Sequence, residues 1–325
     1  AVVWTDVMQF LVLFGGGVIA LYILSKGVGG FDEMLVLASS AGKTKFFDVS
    51  DWNPANARNL LSAGIAYGVI EISIRGCDQQ FVQRYLSCGS IRSANASSVL
   101  SMVLGIFVSV LFFLVGAGLF VYYRVSGVEL LPPEVHLNEV FPYFIVHVLP
   151  PGATGLVVAA IYAAAMSSLS SAINALGNTT VKDIMLVRSE NAKDLAKAKR
   201  WTLLWAVLST LCAFVAADMQ SSLLSNALFF TGLFTGPLLA LFLLAFFSRR
   251  ISSSAVAAGV VCGMVSILLF NRIPMFPAYV PPFDGVFCFF WNPAISCSAT
   301  LVATNILRIF LKRPESQISD ERGSR

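Results

Sequence analysis

Residues Ala163–Asn174 read AAAMSSLSSAIN, and this stretch decides the architecture that we expect for the chain. It lies inside an apolar run, about residues 155–177, that is long enough to cross a bilayer. Four serines occupy five consecutive positions near the middle of this run. On a helical period, one stripe contains Ala164, Ser167, Ser168 and Ser171. Ser170 lies to one side of the stripe, so the sequence predicts a membrane helix with a line of hydroxyl groups.

The stripe fits two interpretations. Small residues and serines in membrane helices permit close packing and hydrogen bonding between helices. Hydroxyl oxygens are also ligands for a hard cation such as sodium. A bent helical turn would add a backbone carbonyl to such a site, for instance that of Ala164. The stripe alone does not choose between packing and ion binding, and a second signal is needed.

Composition places most of the chain in a membrane. Of its 325 residues, 57% are hydrophobic and only 12% are charged, whereas soluble domains carry about 25% charged residues. The sequence has no basic face with interleaved aromatic residues, so we expect no nucleic-acid partner. The six cysteines show no metal-ligand spacing, and no nucleophile–base set is present. The lipid bilayer is therefore the expected surrounding, and we expect no enzyme activity.

We expect an all-α membrane protein with about eight transmembrane helices. The expected spans are about 3–24, 60–86, 99–123, 155–177, 201–217, 223–247, 255–270 and 285–311. Two helices along the membrane surface are expected at 140–148 and 187–200. Lysine and arginine concentrate in the connections after the fourth, sixth and eighth spans. Those connections and both ends of the chain are therefore expected in the cytosol.

The second span is interrupted by charge. Its apolar first half stops at Glu71–Asp78, a stretch that holds three charged residues and a glycine, and resumes at Phe81. Charge and irregular backbone are costly at membrane depth unless they line a cavity inside the protein. Discontinuous helices of this kind are typical of the midplane binding site of a transporter.

Asp6 provides the second signal. A carboxylate inside a membrane span indicates a functional site by default. Its position near the start of the first span also fits an interfacial carboxylate that faces water. In the functional interpretation, Asp6 is the anionic partner that the neutral serines need in order to bind a cation.

Three stretches together resemble the sodium/solute symporter family. They are AVVWTDVMQ at residues 1–9, GCDQQFVQRYLS at 76–87, and AAAMSSLSSAIN at 163–174 with Val181–Asp183 after it. The resemblance implies a leucine-transporter-like fold of two inverted five-helix repeats, of which this chain would hold the C-terminal part. It implies a transporter core at 1–247, two peripheral helices at 248–311 and a cytosolic tail at 312–325.

The family resemblance also implies ligands. The usual sodium site would use the Ala164 carbonyl with the Ser167 and Ser168 hydroxyls. A second sodium site, found in some members, would use Asp6, Ser170 and Ser171. The coupling ion would be Na⁺, with one or two ions per cycle. The solute cavity would be lined by Glu71, Ser73 and Ile74.

The expected function is sodium-coupled symport of a small organic solute by alternating access, in a multi-pass protein of the plasma membrane. The chain would be incomplete alone, since the resemblance places four core helices before it. Two alternatives remain open at this point. One is a membrane sensor built on a transporter fold. The other is a proton-coupled carrier in which Asp6 is the titrating group.

Overall fold

The computed structural model describes residues 2–44, 49, 51–57, 59–125, 131–186, 192–217, 223–248, 252–271 and 280–310. Within these ranges the regular structure is helical and contains no extended strand. The chain divides into two compact units. Unit 1 comprises Ala1–Lys45 and Tyr85–Ala217, and unit 2 comprises Phe46–Arg84 and Asp218–Arg325. The expected all-α membrane fold is confirmed.

The described residues form eleven α-helices. They are α1 (Val2–Gly27), α2 (Phe31–Ser40), α3 (Tyr67–Cys77), α4 (Gln79–Leu86), α5 (Ile91–Phe120), α6 (Val140–His147), α7 (Pro151–Thr179), α8 (Ala192–Ala217), α9 (Leu223–Phe247), α10 (Ser253–Leu268) and α11 (Asn292–Phe310). Turns of π-helix occur at Leu61–Ala66, Val121–Val125 and Thr180–Ile184. Short 3₁₀ turns occur at Leu137–Glu139 and Phe289–Trp291.

Four helical segments in the described part of the chain are long and apolar enough to cross a membrane. They are Trp4–Gly27, Ile91–Val125, Pro151–Ile184 and Asn226–Phe247. The shorter α10 is also apolar. The expected total of eight spans stays a prediction. The tail at 312–325 lies outside the described residues.

One expectation about the connecting segments is wrong. Residues 192–200, expected as a separate surface helix, continue into α8, because this alanine-rich stretch contains no proline or glycine to end a helix. Residues 187–191 of that expected helix lie outside the described residues. The polar segment after α1 contains α2, which buries Met34 and Ala38 and carries acidic residues in its first turn.

The interruption of the second span is narrower than the sequence indicates. Glu71 and Arg75 lie within the continuous helix α3, which ends at Cys77. Asp78 is extended and separates α3 from α4. Its carboxylate accepts a hydrogen bond from the Gln80 backbone N–H at 2.8 Å, which satisfies a donor at the start of α4. The break is therefore a one-residue joint with its own cap.

Glycines hold α1 close to its neighbours in unit 1. A Cβ added to Gly16 would lie 3.2 Å from Cγ2 of Val157 on α7. A Cβ added to Gly17 would lie 2.9 Å from Cδ2 of Leu111 on α5. Small residues permit this close approach of membrane helices. The packing of α1 against α7 brings Asp6 near the serine stripe.

The segment before α3 is anchored within unit 2. Asn59 is fully buried, and its Oδ1 accepts a hydrogen bond from the Ser62 backbone N–H at 2.8 Å. The Trp291 Nε1–H donates to the Ser62 hydroxyl at 3.2 Å. The Cys288 backbone N–H donates to the Pro54 carbonyl at 3.0 Å. These bonds fix the start of α3 relative to the start of α11.

The helices α9, α10 and α11 pack through glycines that face buried polar side chains. The α11 side chains are spaced four residues apart and are fully buried: Asn292, Ser296, Thr300 and Thr304. Opposite them lie Gly232 and Gly236 on α9, and Gly259 and Gly263 on α10. The Ser296 hydroxyl donates to the Gly232 carbonyl at 3.1 Å. The α11 backbone therefore approaches both neighbours closely.

We expect Gly236→Ala to destabilise this packing. An added Cβ would overlap the Ser296 hydroxyl and the Pro293 carbonyl, which belongs to backbone that cannot rotate away. Overpacking of this kind costs about 1–3 kcal/mol, so the melting temperature in detergent should fall clearly. The matched control is Gly105→Ala on α5, where the added Cβ meets no atom within 4 Å. A Gly236→Ala variant that melts with the control would contradict this packing.

Candidate cation site

Asp6 on α1 and Ser167 on α7 are joined directly. The Ser167 hydroxyl donates a hydrogen bond to Asp6 Oδ1 at 2.5 Å. Both side chains are half-buried. A hydrogen bond to a carboxylate is stronger than one between neutral groups, and the two residues are 161 positions apart in sequence. This contact brings the carboxylate of the first membrane helix to the hydroxyl stripe of α7.

Ser167 also organises its own helix. The Ser170 hydroxyl donates to the Ser167 carbonyl at 3.0 Å. Ser171 is half-buried, whereas Ser168 is exposed within unit 1. The hydroxyl of Ser167 thus contacts Asp6, while the backbone carbonyl of Ser167 accepts a hydrogen bond from Ser170.

The Ala164 carbonyl lies in an unbroken helix. Helix α7 is continuous from Pro151 to Thr179, so no bend separates Ala164 from Ser168. A carbonyl oxygen has two lone pairs, and a helical hydrogen bond uses only one of them. The Ala164 carbonyl therefore remains a candidate ligand without a local loss of helix.

Of the six residues that the family resemblance implies as sodium ligands, the structure links three by hydrogen bonds: Asp6, Ser167 and Ser170. The other three share the α7 stripe: Ala164, Ser168 and Ser171. The resemblance assigns Ser167 and Asp6 to different sites, whereas the structure places their oxygens in contact. Ser167 therefore lies where the two implied sites meet. Nothing in the sequence distinguishes Ser167 from its neighbouring serines in this respect.

The donor set suits a monovalent cation. It offers one carboxylate, several hydroxyls and backbone carbonyls, which are hard oxygen ligands. In the described residues, no three or more side chains of His, Cys, Asp or Glu gather as a metal site. One negative charge would balance one monovalent ion without a large excess of charge.

The three residues expected to line a solute cavity differ in burial. Glu71 and Ile74 are half-buried, whereas Ser73 is fully buried and donates its hydroxyl to the Val69 carbonyl at 2.8 Å. Ser73 belongs to the face of α3 that packs inside unit 2, together with Ile70. The prediction that all three line a cavity stays a prediction.

Arg75 lies one helical turn after Glu71 and was not among the residues expected to line the solute cavity. Its Nε donates to Glu71 Oε2 at 2.7 Å, and the side chains are 22% and 36% exposed respectively. Its guanidinium carbon lies 5.8 Å from the centre of the Phe81 ring. The spacing of four residues between Glu71 and Arg75 was a sequence signal for this pair.

Residues 1–263 match the sodium:solute symporter family. The chain is 30% identical over 276 residues to the sodium/sialic acid symporter SiaT of Proteus mirabilis, which covers 82% of this chain and 55% of that protein. It is 30% identical over 271 residues to sodium-coupled monocarboxylate transporter 1 of Mus musculus, which covers 81% of this chain and 44% of that protein. The chain thus spans about half the length of the curated relatives it matches.

A solved structure has the same fold. It shows the substrate-bound, outward-open state of a Na⁺-coupled sialic acid symporter and reveals a novel Na⁺ site in that protein. The two chains superpose with a TM-score of 0.76 at 27% sequence identity. The match covers 95% of this chain and 62% of that chain.

We expect Asp6→Asn and Ser167→Ala to be coupled in stability. Ser167→Ala removes the hydrogen bond, whereas Asp6→Asn leaves a weaker bond to a neutral acceptor, so Ser167→Ala should cost less once Asp6→Asn has been made. The expected coupling is about 1–3 kcal/mol, measured by a double-mutant cycle of unfolding in sodium-free detergent buffer. The control cycle pairs Asp6→Asn with Ser101→Ala, whose exposed hydroxyl bonds the Ser98 carbonyl on α5. Additive effects in the Asp6–Ser167 cycle would contradict the contact.

Proposed function

This chain belongs to the sodium:solute symporter family, and from that premise we propose that it forms part of a sodium-coupled symporter of a small organic solute. The observation that carries the proposal is the contact between Asp6 and Ser167. A carboxylate in a membrane span is costly unless it serves a function. Here it lies against a stripe of oxygen ligands.

We infer two overlapping sets of sodium ligands. One set uses the Ala164 carbonyl with the Ser167 and Ser168 hydroxyls. The other uses Asp6, Ser170 and Ser171, with Ser167 between the two sets. When sodium binds beside Asp6, the carboxylate would contact the ion instead of the hydroxyl proton of Ser167. The hydroxyl then rotates and offers its oxygen to the ion.

Ion binding at this place couples two helices. The hydrogen bond from Ser167 to the Asp6 carboxylate joins α1 and α7. With sodium, the ion joins the same helices through several oxygens, so occupancy changes the free energy of their relative position. Transport by alternating access needs this dependence of conformation on the ion. The membrane potential contributes about 2.3 kcal/mol per charge per 100 mV, so a second sodium ion would roughly double the electrical driving force.

For the solute we propose a chemical class. Relatives carry sialic acid and monocarboxylates, and we propose a small organic solute that contacts the region of α3 with Glu71, Ser73 and Ile74. The burial of Ser73 supports a role in packing for that hydroxyl, which leaves Glu71 and Ile74 as the side chains with exposed area. We also propose a cell-membrane location with both ends of this chain in the cytosol. The division into a core at 1–247 and peripheral helices at 248–311 belongs to the same proposal.

We expect uptake of solute to depend on sodium and on Ser168. In cells that produce the whole symporter of which we propose this chain to be a part, accumulation of sialic acid or lactate should require external sodium, and replacement of sodium by choline should abolish it. Ser168→Ala removes an exposed hydroxyl that we propose as a ligand. Because a hydrogen bond to a charged group contributes about 1.5–3 kcal/mol, loss of a ligand of similar strength should lower the apparent sodium affinity by at least about tenfold.

The control for this experiment is Ser101→Ala on α5, which removes an exposed hydroxyl from a helix without proposed ligands. The proton-coupled alternative is tested in the same cells by an inward pH gradient in choline buffer. Uptake driven by that gradient without sodium would contradict the proposal and favour Asp6 as a proton carrier.

A further inference from the structure

Helix α3 carries a polar stripe that the proposed sodium sites do not use. Tyr67, Glu71 and Arg75 are spaced four residues apart and therefore lie on one side of the helix. The Arg75 Nε donates to Glu71 Oε2 at 2.7 Å. Tyr67, one turn before, interacts with the same carboxylate. The three side chains form a continuous line of hydrogen-bonding groups.

This stripe lies apart from the packed face of α3. Ile70, Ser73 and Cys77 are buried within unit 2, whereas the Glu71 and Arg75 side chains keep 36% and 22% of their area exposed. In the span that the sequence predicts at residues 60–86, a charged pair is costly, and an apolar pair would pack at lower desolvation cost. A side of the helix that retains both charges is typical of one that faces a polar cavity.

We propose that Arg75 recognises the carboxylate of an anionic solute, and that Glu71 occupies the guanidinium until the solute replaces it. This inference rests on the proposed function, and it names the solute class. The Glu71 carboxylate is chemically the same group as the one that the solute would present. Arginine is suited to this role because its planar guanidinium matches a carboxylate in two hydrogen bonds.

The neighbours of the pair support an exchange. When the solute takes Arg75, the Glu71 carboxylate keeps Tyr67 as a partner, so its charge is not left without an interaction. The Phe81 ring, 5.8 Å from the guanidinium carbon, stabilises Arg75 in place through a cation–π contact. An uncharged solute would have to break the ion pair without replacing it. The site therefore discriminates against neutral solutes of similar size.

The proposal predicts that removal of the Arg75 charge and removal of the Glu71 charge have opposite effects on solute binding. Sialic acid and lactate are titrated into the purified protein in sodium buffer, with glucose as the neutral probe, and heat of binding is measured. Arg75→Gln should weaken binding of the anionic probe that the wild type binds by about tenfold or more. Glu71→Gln removes the internal competitor and should tighten that binding. Arg75→Lys keeps the charge but not the planar fork, and it should fall between the wild type and Arg75→Gln.

If the Glu71–Arg75 pair only stabilises α3, a different result is expected. Loss of either charge would then weaken binding to the same extent. Equal weakening in Arg75→Gln and Glu71→Gln would overturn the inference, as would binding of glucose alone or of no anionic probe by the wild type. The control is Arg92→Gln, which removes an exposed cation at the start of α5. If a glutamine variant fails to purify as folded protein, Arg75→Lys and Glu71→Asp give the comparison. Sodium binding is measured separately. A protein that does not bind sodium would count against the proposed function and not against Arg75 alone.

Discussion

The hydrogen bond from Ser167 to Asp6 is the interaction on which the rest of this account depends. A carboxylate half-buried in a membrane helix loses much of its hydration, and the chain has to compensate that loss with its own polar groups. Ser167 does so from another helix, which ties α1 to α7. The same oxygens that compensate the carboxylate are suitable ligands for sodium. In our proposal, stability without the ion and affinity for the ion therefore depend on one set of atoms.

The surrounding fold keeps this contact in place by close packing. Gly16 and Gly17 allow α1 to lie against Val157 of α7 and Leu111 of α5. A Cβ at either position would contact those side chains at 3.2 Å or less, so larger residues there would disturb the packing of α1. Unit 2 uses the same principle for α9, α10 and α11, and it holds the start of α3 through Ser62. Within each unit, polar side chains are thus positioned by helices that approach closely.

Hydropathy was sufficient to predict the long apolar helices, because that signal is local in sequence. Charge singled out Asp6 as a possible partner of the serine stripe, beside the interpretation of an interfacial carboxylate that faces water. The pairing of Asp6 with Ser167 could not be predicted, since it depends on how α1 and α7 are rotated against each other. The burial of Ser73 was missed for a similar reason, because the packed face of α3 is set by helices far away in sequence. The short helix α2 was missed because its charged first turn resembles a loop.

The central claim is that Asp6 is a ligand of sodium. The most direct measurement is equilibrium binding of radioactive sodium to the purified protein in detergent, in the wild type, in Asp6→Asn and in Asp32→Asn. Asp32 is an exposed residue of the first turn of α2 and serves as the control. We expect Asp6→Asn to bind fewer sodium ions per protein than the wild type, and Asp32→Asn to bind as many. Equal stoichiometry and affinity in Asp6→Asn and the wild type would contradict the account.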